Sequence, residues 1–349
     1  MEKQMVSTSP TIKDVALKAG VSYSTVSRAI NGKKGVKPEI REQVLKIANE
    51  LNYFPHSSAK ALVKKRVGVI GVVIPRTSEF AFQNPFYSHV LLGLSTIANV
   101  HEYQLMLSIN NQVDIATLYY RRQVDGIIVI ANRIHDNSLI KLSEDGIPVV
   151  AVPGFPPGSG ISIPSVNSEN YKSVYRAVSY LMGLGHRRIG FIIGKMDSWY
   201  SIERLNAFKK VFEDKGLEYD ESLVKESDFS KTAGYSLMGQ LLDMDQPPTS
   251  VICMNDAITL GALHQIHSRN LKVPDDISVL AIGCSDMYEL FNPPLTTIKT
   301  PVIDIGKTAA KLLIKAIENG NRDEGQTILA SDLIIRESTG ELPRHKEKA

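Results

Sequence analysis

Thr11-Ile-Lys-Asp-Val-Ala-Leu-Lys-Ala-Gly-Val-Ser-Tyr-Ser-Thr-Val-Ser-Arg-Ala-Ile-Asn31 has the spacing of two short helices joined by a tight turn. Thr11 is a good N-cap residue, Asp14 stands where the acid of a capping box belongs, and Ile12, Val15, Ala16 and Ala19 form an apolar stripe at helical spacing. Gly20 ends the first helix and Ser22 caps a second, in which Val26, Ala29 and Ile30 turn inward. Tyr23, Ser24, Ser27 and Arg28 are left outside near its N-terminal end, where a helix-turn-helix carries the side chains that meet base edges. Beyond it, the loop Asn31-Gly-Lys-Lys-Gly-Val-Lys37 is rich in small and basic residues. Pro38 then opens a third helix with Ile40, Val44, Ile47, Ala48 and Leu51 on one face. Three helices around one small core make an all-α headpiece.

Charge follows the same division. Residues 1–66 carry 13 Lys and Arg against 5 Asp and Glu, a net of +8, whereas the remainder carries 27 against 32, a net of −5. Basic charge concentrated on a folded reading motif points to nucleic-acid phosphates. With 349 residues, 43% of them hydrophobic, the chain can bury a substantial core in more than one domain. No apolar run approaches the roughly 20 residues that cross a bilayer, and residues 1–10 lack the apolar segment of a signal peptide, so a cytoplasmic protein without membrane contact is expected. Cys253 and Cys284 lie in apolar surroundings without metal-ligand spacing and are expected as buried thiols, neither a disulfide nor a metal pair.

Thr11-Ile-Lys-Asp-Val-Ala, Ala19-Gly-Val-Ser, Ser24-Thr-Val-Ser-Arg, Ile30-Asn-Gly and Leu51-Asn-Tyr-Phe-Pro55, in this order, closely resemble the headpiece of the lactose/galactose-repressor family of bacterial transcription factors. The likeness continues through Asp125-Gly-Ile-Ile, Pro148-Val-Val, Gly185-His-Arg-Arg-Ile, Ser201-Ile-Glu-Arg204, Asn255-Asp256, Val273-Pro-Asp-Asp-Ile-Ser, Leu295-Thr-Thr-Ile and Ile335-Arg-Glu-Ser-Thr339. It implies a tail at 1–10, a DNA-binding headpiece at 11–55, a hinge helix at 56–66, a core at 67–340 and a tail at 341–349. In such proteins the hinge orders when two copies pair over the operator's minor groove and wedge an apolar side chain between base pairs. Leu62 stands at that position and Ala59 is small enough for close pairing. Thr11, Ser22, Tyr23, Ser24, Ser27, Arg28, Asn31, Lys33, Lys34 and Lys37 are the DNA-contacting candidates, with Arg28 suited to bidentate pairing with guanine.

From residue 67 the pattern becomes short apolar runs alternating with amphipathic helices, the mark of parallel sheets. Strands are expected at 67–74, 104–109, 126–131 and 147–152, and helices at 87–101, 113–122 and 137–144. A second series follows at 170–184, 188–193, 202–215, 231–242, 250–254, 256–269 and 277–282. The order resembles a two-lobed periplasmic-binding-protein-like core. Lobe 1 would comprise 67–166 and 298–328, including the helix 302–319, and lobe 2 would comprise 167–297 and 329–340. Ligands of this fold lie between the lobes, facing the C-terminal strand ends.

By the same resemblance Arg204 and Asn255 bind an effector from the second lobe. Asp256 is expected first as the cap of the following helix and is kept as a contact candidate beside Asn255. Phe86, Tyr87, Trp199, Tyr200 and Phe291 are candidates for apolar walls, Trp199 foremost. Ala281-Ile-Gly-Cys-Ser285 lacks the carboxylate that many members carry there, as does Ala151-Val-Pro-Gly-Phe-Pro-Pro157. An anionic sugar acid or sugar phosphate would need Arg204 more and that acid less, unless Asp286 moves in. No acid/base pair, nucleophile, phosphate cradle or cofactor motif is found, so neither an enzyme nor a cofactor is expected. The expected partners are a palindromic operator, a second copy of the chain in a dimer or tetramer, and a small sugar-like effector. Asn84-Pro-Phe-Tyr also resembles the catabolite-control branch, in which a phosphorylated carrier protein docks on the first lobe.

Overall fold

The computed structural model describes residues 10–53, 66–109, 115–131, 137–156, 163–320 and 325–342, in two units that divide at Val67. In the headpiece, α1 (Ile12–Ala19), α2 (Tyr23–Ile30) and α3 (Pro38–Glu50) close around Val15, Val26 and Val44, all fully buried. The hydroxyl and the backbone N–H of Thr11 both donate to the Asp14 carboxylate at 2.7 Å. Gly20 ends α1 in the left-handed region at φ 65°, and the Ser22 hydroxyl accepts from the N–H of Thr25 at 3.2 Å to begin α2.

The Thr11 hydroxyl and backbone N–H hold the exposed Asp14 carboxyl below its ordinary value of 3.8. A carboxyl depressed in the folded state contributes stability above its unfolded value, and that contribution is lost as the pH falls through the folded one. Protection of the α1 amides against hydrogen exchange is therefore expected to drop between about pH 5 and pH 3 in the wild type, and to stay level in Asp14→Asn. Equal drops in both proteins would remove the capping box from the explanation.

The core contains two six-stranded sheets. In the first, β1 (Val69–Ile74), β2 (Gln104–Ile109), β3 (Gly126–Ile130), β4 (Val149–Val152), β5 (Ser165–Ser168) and β11 (Gln326–Leu329) run in the order β11-β5-β4-β3-β1-β2. The second contains β6 (Ile189–Ile193), β7 (Val224–Glu226), β8 (Ser250–Cys253), β9 (Ser278–Gly283), β10 (Thr296–Lys299) and β12 (Asp332–Ile334), in the order β12-β10-β9-β8-β6-β7. Central strands such as Gly126-Ile-Ile-Val-Ile130 are buried on both faces, hence their unbroken apolar runs. Pairing is parallel, as expected, except that β12 lies antiparallel to β10 at the edge of the second sheet.

Helices cover both faces. In the first lobe these are α4 (Ser78–Gln83), α5 (Pro85–Val100), α6 (Ile115–Tyr120), α7 (Asn137–Glu144) and α12 (Val302–Asn319); in the second, α8 (Asn170–Gly183), α9 (Trp199–Asp214), α10 (Lys231–Leu242) and α11 (Asp256–Ser268). Helices α5 and α12 cross almost in backbone contact: a Cβ on Gly93 would lie 2.0 Å from the Ile303 carbonyl oxygen, and one on Gly306 would lie 2.2 Å from that of Val90. Only glycine permits that approach.

The chain passes between lobes after β5, after β10 and between β11 and β12. These points differ by a few residues from the expected boundaries. Ser168 and Leu329 still pair with each other in the first sheet, and Lys299 pairs with Asp332 in the second, because each strand completes its ladder before leaving. Among the described residues no helix is long and apolar enough to cross a membrane.

Candidate functional site

Two surfaces carry chemistry. On the headpiece, Tyr23 is 68% exposed at the start of α2, and Arg28 is exposed five residues later. Lys33, Lys34 and Lys37 are exposed in the following loop. None of these five side chains is bonded to another described side chain. The remaining candidates shape the motif. Ser24 shares a hydrogen bond with the Ser22 hydroxyl at 2.8 Å, and the Asn31 amide donates to the Ser27 carbonyl at 2.7 Å, closing α2. Thr11 is held by Asp14. Ala59 and Leu62 lie outside the described residues.

The second surface is a cavity of about 90 Å³ between the lobes, at the C-terminal ends of the strands. Its first-lobe wall includes Arg76, just past β1, with Phe80, Phe86 and Tyr87 from α4 and α5; its second-lobe wall includes Tyr200, Arg204, Phe229, Met254, Asn255 and Asp256. Five rings form a chain across the cleft. Phe229 meets Phe80 at 5.7 Å, Phe80 meets Tyr87 at 5.9 Å, Tyr87 meets Phe86 at 5.4 Å and Phe86 meets Tyr200 at 6.3 Å, all edge to face. An Arg76–Asp197 ion pair at 3.5 Å also spans the lobes.

Arg204 is buried inside this wall. Its Nε donates to Asn170 Oδ1 at 3.0 Å and one terminal nitrogen donates to the Met254 carbonyl at 3.2 Å, while the guanidinium lies 5.6 Å from the Tyr200 ring centre. Burial pulls its pKa down to about 10, which leaves it cationic at neutral pH. Burial likewise pushes the Tyr87 and Tyr200 hydroxyls up, so both remain protonated donors.

Asn255 caps α11 through its Oδ1, which accepts from the Ile258 N–H at 2.7 Å. This corrects the expectation that Asp256 is the cap: Asn255 has the extended backbone of an N-cap residue, and Asp256 is already inside the helix. The Asn255 amide also donates to the Phe229 carbonyl at 3.0 Å, fixing that residue at φ 69°. A bulky residue seldom adopts this conformation without such support.

Asp256 is a buried carboxylate that accepts from the Ser285 N–H at 3.2 Å. Asp256 thus reaches the Ala281–Ser285 turn from α11. Asp286 does not move in; it is exposed and paired with Lys299 at 2.6 Å. Cys284 and Cys253 are buried free thiols, and Cys284 lines the cavity.

Two aromatic candidates fall elsewhere. Trp199 starts α9 half-buried and is not part of the cavity wall, where its neighbour Tyr200 takes the place. Phe291 packs on Tyr288 at 6.2 Å against the second-lobe core. Conversely, Arg76, Phe80, Phe229 and Met254 are wall residues that the sequence reading missed. Arg76 and Phe80 had a usable signal, since they follow the first apolar strand of a parallel sheet.

Comparison with known proteins identifies the relatives of both units. A family described as bacterial regulatory proteins, lacI family, matches residues 11–56, and a periplasmic binding protein-like domain matches residues 178–339. The HTH-type transcriptional repressor CytR of Escherichia coli (strain K12) is 33% identical over 348 residues, covering 98% of this chain and 100% of that one. Catabolite control protein A of Priestia megaterium is 30% identical, covering 94% and 99%. The solved complex of the transcriptional regulator CelR with cellobiose superposes with a TM-score of 0.72 at 30% identity, covering 94% and 99%. The Lac repressor dimer bound to operator and the anti-inducer ONPF superposes with a TM-score of 0.84 at 26% identity, covering 95% and 100%.

Proposed function

Because the chain belongs to the lacI family of bacterial regulatory proteins, as a DNA-binding transcriptional repressor whose relatives are regulators and not enzymes, we propose that it binds a palindromic operator as a dimer and releases it when a sugar-like effector, anionic in character, enters the interlobe cavity. The observation that carries the effector part is the pair of arginines, Arg76 from one lobe and Arg204 from the other, in a wall with one carboxylate, Asp256. A ligand acid group meets two cations there. Because those cations come from different lobes, its binding energy depends on how the lobes are set.

Pairing is supported by apolar side chains on the outside of the first lobe, Phe82, Leu92, Val100 and Leu107, along α4, α5 and the edge strand β2. A single headpiece reads few base pairs, so two on a twofold axis are needed for a specific site. Ala59 and Leu62 are proposed, from the family resemblance, to act at the centre of that site.

Effector and operator must change each other's affinity by the same factor. Thermal-shift screening of sugars, sugar acids and sugar phosphates, followed by operator titration with each hit, tests the proposal. Arg204→Ala is expected to abolish the shift and leave effector-free operator binding within about twofold. A variant that retains the wild-type shift would exclude Arg204 as a contact.

A carrier protein as corepressor is the other reading. It is weakened by the inward use of Asn84-Pro-Phe-Tyr: Asn84 caps α5 at 3.0 Å, and Phe86 and Tyr87 face the cavity. Tightening of operator binding by a phosphorylated carrier, with no response to any small molecule, would restore that reading.

A further inference from the structure

The way α2 ends ties it to the basic loop that follows. Gly32 stands in the left-handed region at φ 67°, and its N–H donates to the Ala29 carbonyl at 3.3 Å. The next N–H, that of Lys33, reaches back to the Arg28 carbonyl at 3.0 Å. This pair of bonds is a Schellman ending, and it makes Lys33 the last residue whose backbone is fixed to α2.

The other side of Lys33 is held from α3. One terminal nitrogen of Arg41 donates to the Lys33 carbonyl at 2.6 Å, and the backbone N–H of the same residue donates to the Lys37 carbonyl at 3.0 Å. Arg41 therefore holds both ends of the segment Lys33-Lys-Gly-Val-Lys37. Within it Val36 packs on the headpiece core, but the backbone N–H groups of Lys34, Gly35 and Val36 donate to no acceptor among the described residues. Gly35, at φ 93°, leaves this stretch a wide choice of conformations. The guanidinium of Arg41, half-buried in the first turn of α3, supplies a charge-assisted bond, the stronger kind, where the backbone supplies few.

We infer that Arg41 is a positioning residue for DNA binding, acting through the loop: it fixes Lys33, Lys34 and Lys37 relative to the base-reading helix, so that phosphates meet a loop already in order. The ordering cost is then met in the free protein and not on the DNA. The inference rests on the reading of these lysines as phosphate contacts and adds the residue that places them.

A double-mutant cycle on the full-length protein tests it, with affinity for a site selected by the wild-type chain measured at several salt concentrations. Lys33→Gln with Lys34→Gln is expected to weaken binding and to flatten the logarithmic salt dependence by about 3 to 4, since about four phosphate contacts leave two headpieces. Arg41→Met should weaken binding roughly tenfold in the otherwise wild-type protein, from a freed loop on each headpiece, and less than about twofold once the two lysines are gone. Hydrogen exchange in the DNA-free protein reads the positioning directly: protection of the Lys33 amide should fall in Arg41→Met while that of Val26 and Val44 in the core holds. If the core amides lose protection too, Arg41→Lys, which keeps the charge but not the guanidinium fork, takes its place in the cycle. Equal losses from the Arg41 substitution with and without the lysines overturn the inference and assign this arginine to a phosphate contact of its own or to headpiece stability. Unchanged affinity and salt dependence in the lysine variant remove the loop from phosphate contact, and the inference then falls together with the reading it rests on.

Discussion

Arg28→Ala is expected to leave the protein bound to DNA yet almost blind to sequence. The guanidinium stands exposed on α2, five residues beyond Tyr23, with no bond to another described side chain, so its removal does not disturb the headpiece core of Val15, Val26 and Val44. A bidentate contact with guanine is worth about 1–3 kcal/mol of discrimination. Two headpieces on a palindrome double this to about 2–6 kcal/mol, a loss of roughly 30-fold to 10⁴-fold in the preference for operator over random duplex. Lys33, Lys34 and Lys37 remain to meet phosphates, so binding to random DNA should weaken little and stay steeply salt-dependent. The measurement compares affinities for a site selected by the wild-type chain from a random pool and for a scrambled duplex at one salt concentration. A ratio within twofold of wild type would falsify the assignment of base reading to Arg28.

The second large effect is structural. Gly93→Ala places a methyl group 2.0 Å from the Ile303 carbonyl oxygen, 2.8 Å from the Lys307 nitrogen and 3.0 Å from Gly306 Cα. All three are backbone atoms, so no side chain can swing aside, and α5 must move off α12. Overpacking a core commonly costs 1–3 kcal/mol. With two helices displaced, the expected cost is at the upper end, about 3 kcal/mol, or a fall of about 6–12 °C in the melting temperature of a domain this size. Gly183→Ala is the control: at the end of α8 an added Cβ meets nothing within 4 Å, and the change should be neutral or slightly stabilising. Similar melting temperatures for the two variants would mean that the α5–α12 approach is looser than described. Since α5 also carries Phe86 and Tyr87, any folded Gly93→Ala protein should respond weakly to effector.

Much of this architecture is legible in the chain because its signals are local. Apolar runs of four to six residues, such as Val69-Ile-Gly-Val-Val-Ile74, are too short for helices and rich in β-branched residues, so they read as strands buried on both faces, and the regular helices between them favour parallel pairing. The headpiece is equally plain, since Thr11, Gly20, Ser22 and Pro38 each mark a helix end by their own chemistry. The cavity is harder to read because it depends on which way a side chain points. Trp199 and Tyr200 are adjacent and both aromatic, yet helical geometry sends only Tyr200 to the wall. Asn255 and Asp256 are both good caps, and the backbone conformation, not residue type, decides that Asn255 performs the task. Phe229 gave no signal at all, since its place is set by a left-handed backbone held from Asn255, 26 residues away.

The lobes are tied together by very little chain. Glu169 alone separates β5 from α8, Thr300 and Pro301 separate β10 from α12, and Ala330 and Ser331 separate β11 from β12. Tethers of one or two residues cannot stretch, so the lobes have little room to part beside them and a pivot about that end is the movement they favour. Such a pivot works as a lever: a rotation too small to notice beside Ser331 is multiplied with distance, and the outer rims travel farthest. An engineered staple across the rim, even a single one, should therefore arrest the whole movement, whereas one placed beside the tethers should leave it almost untouched.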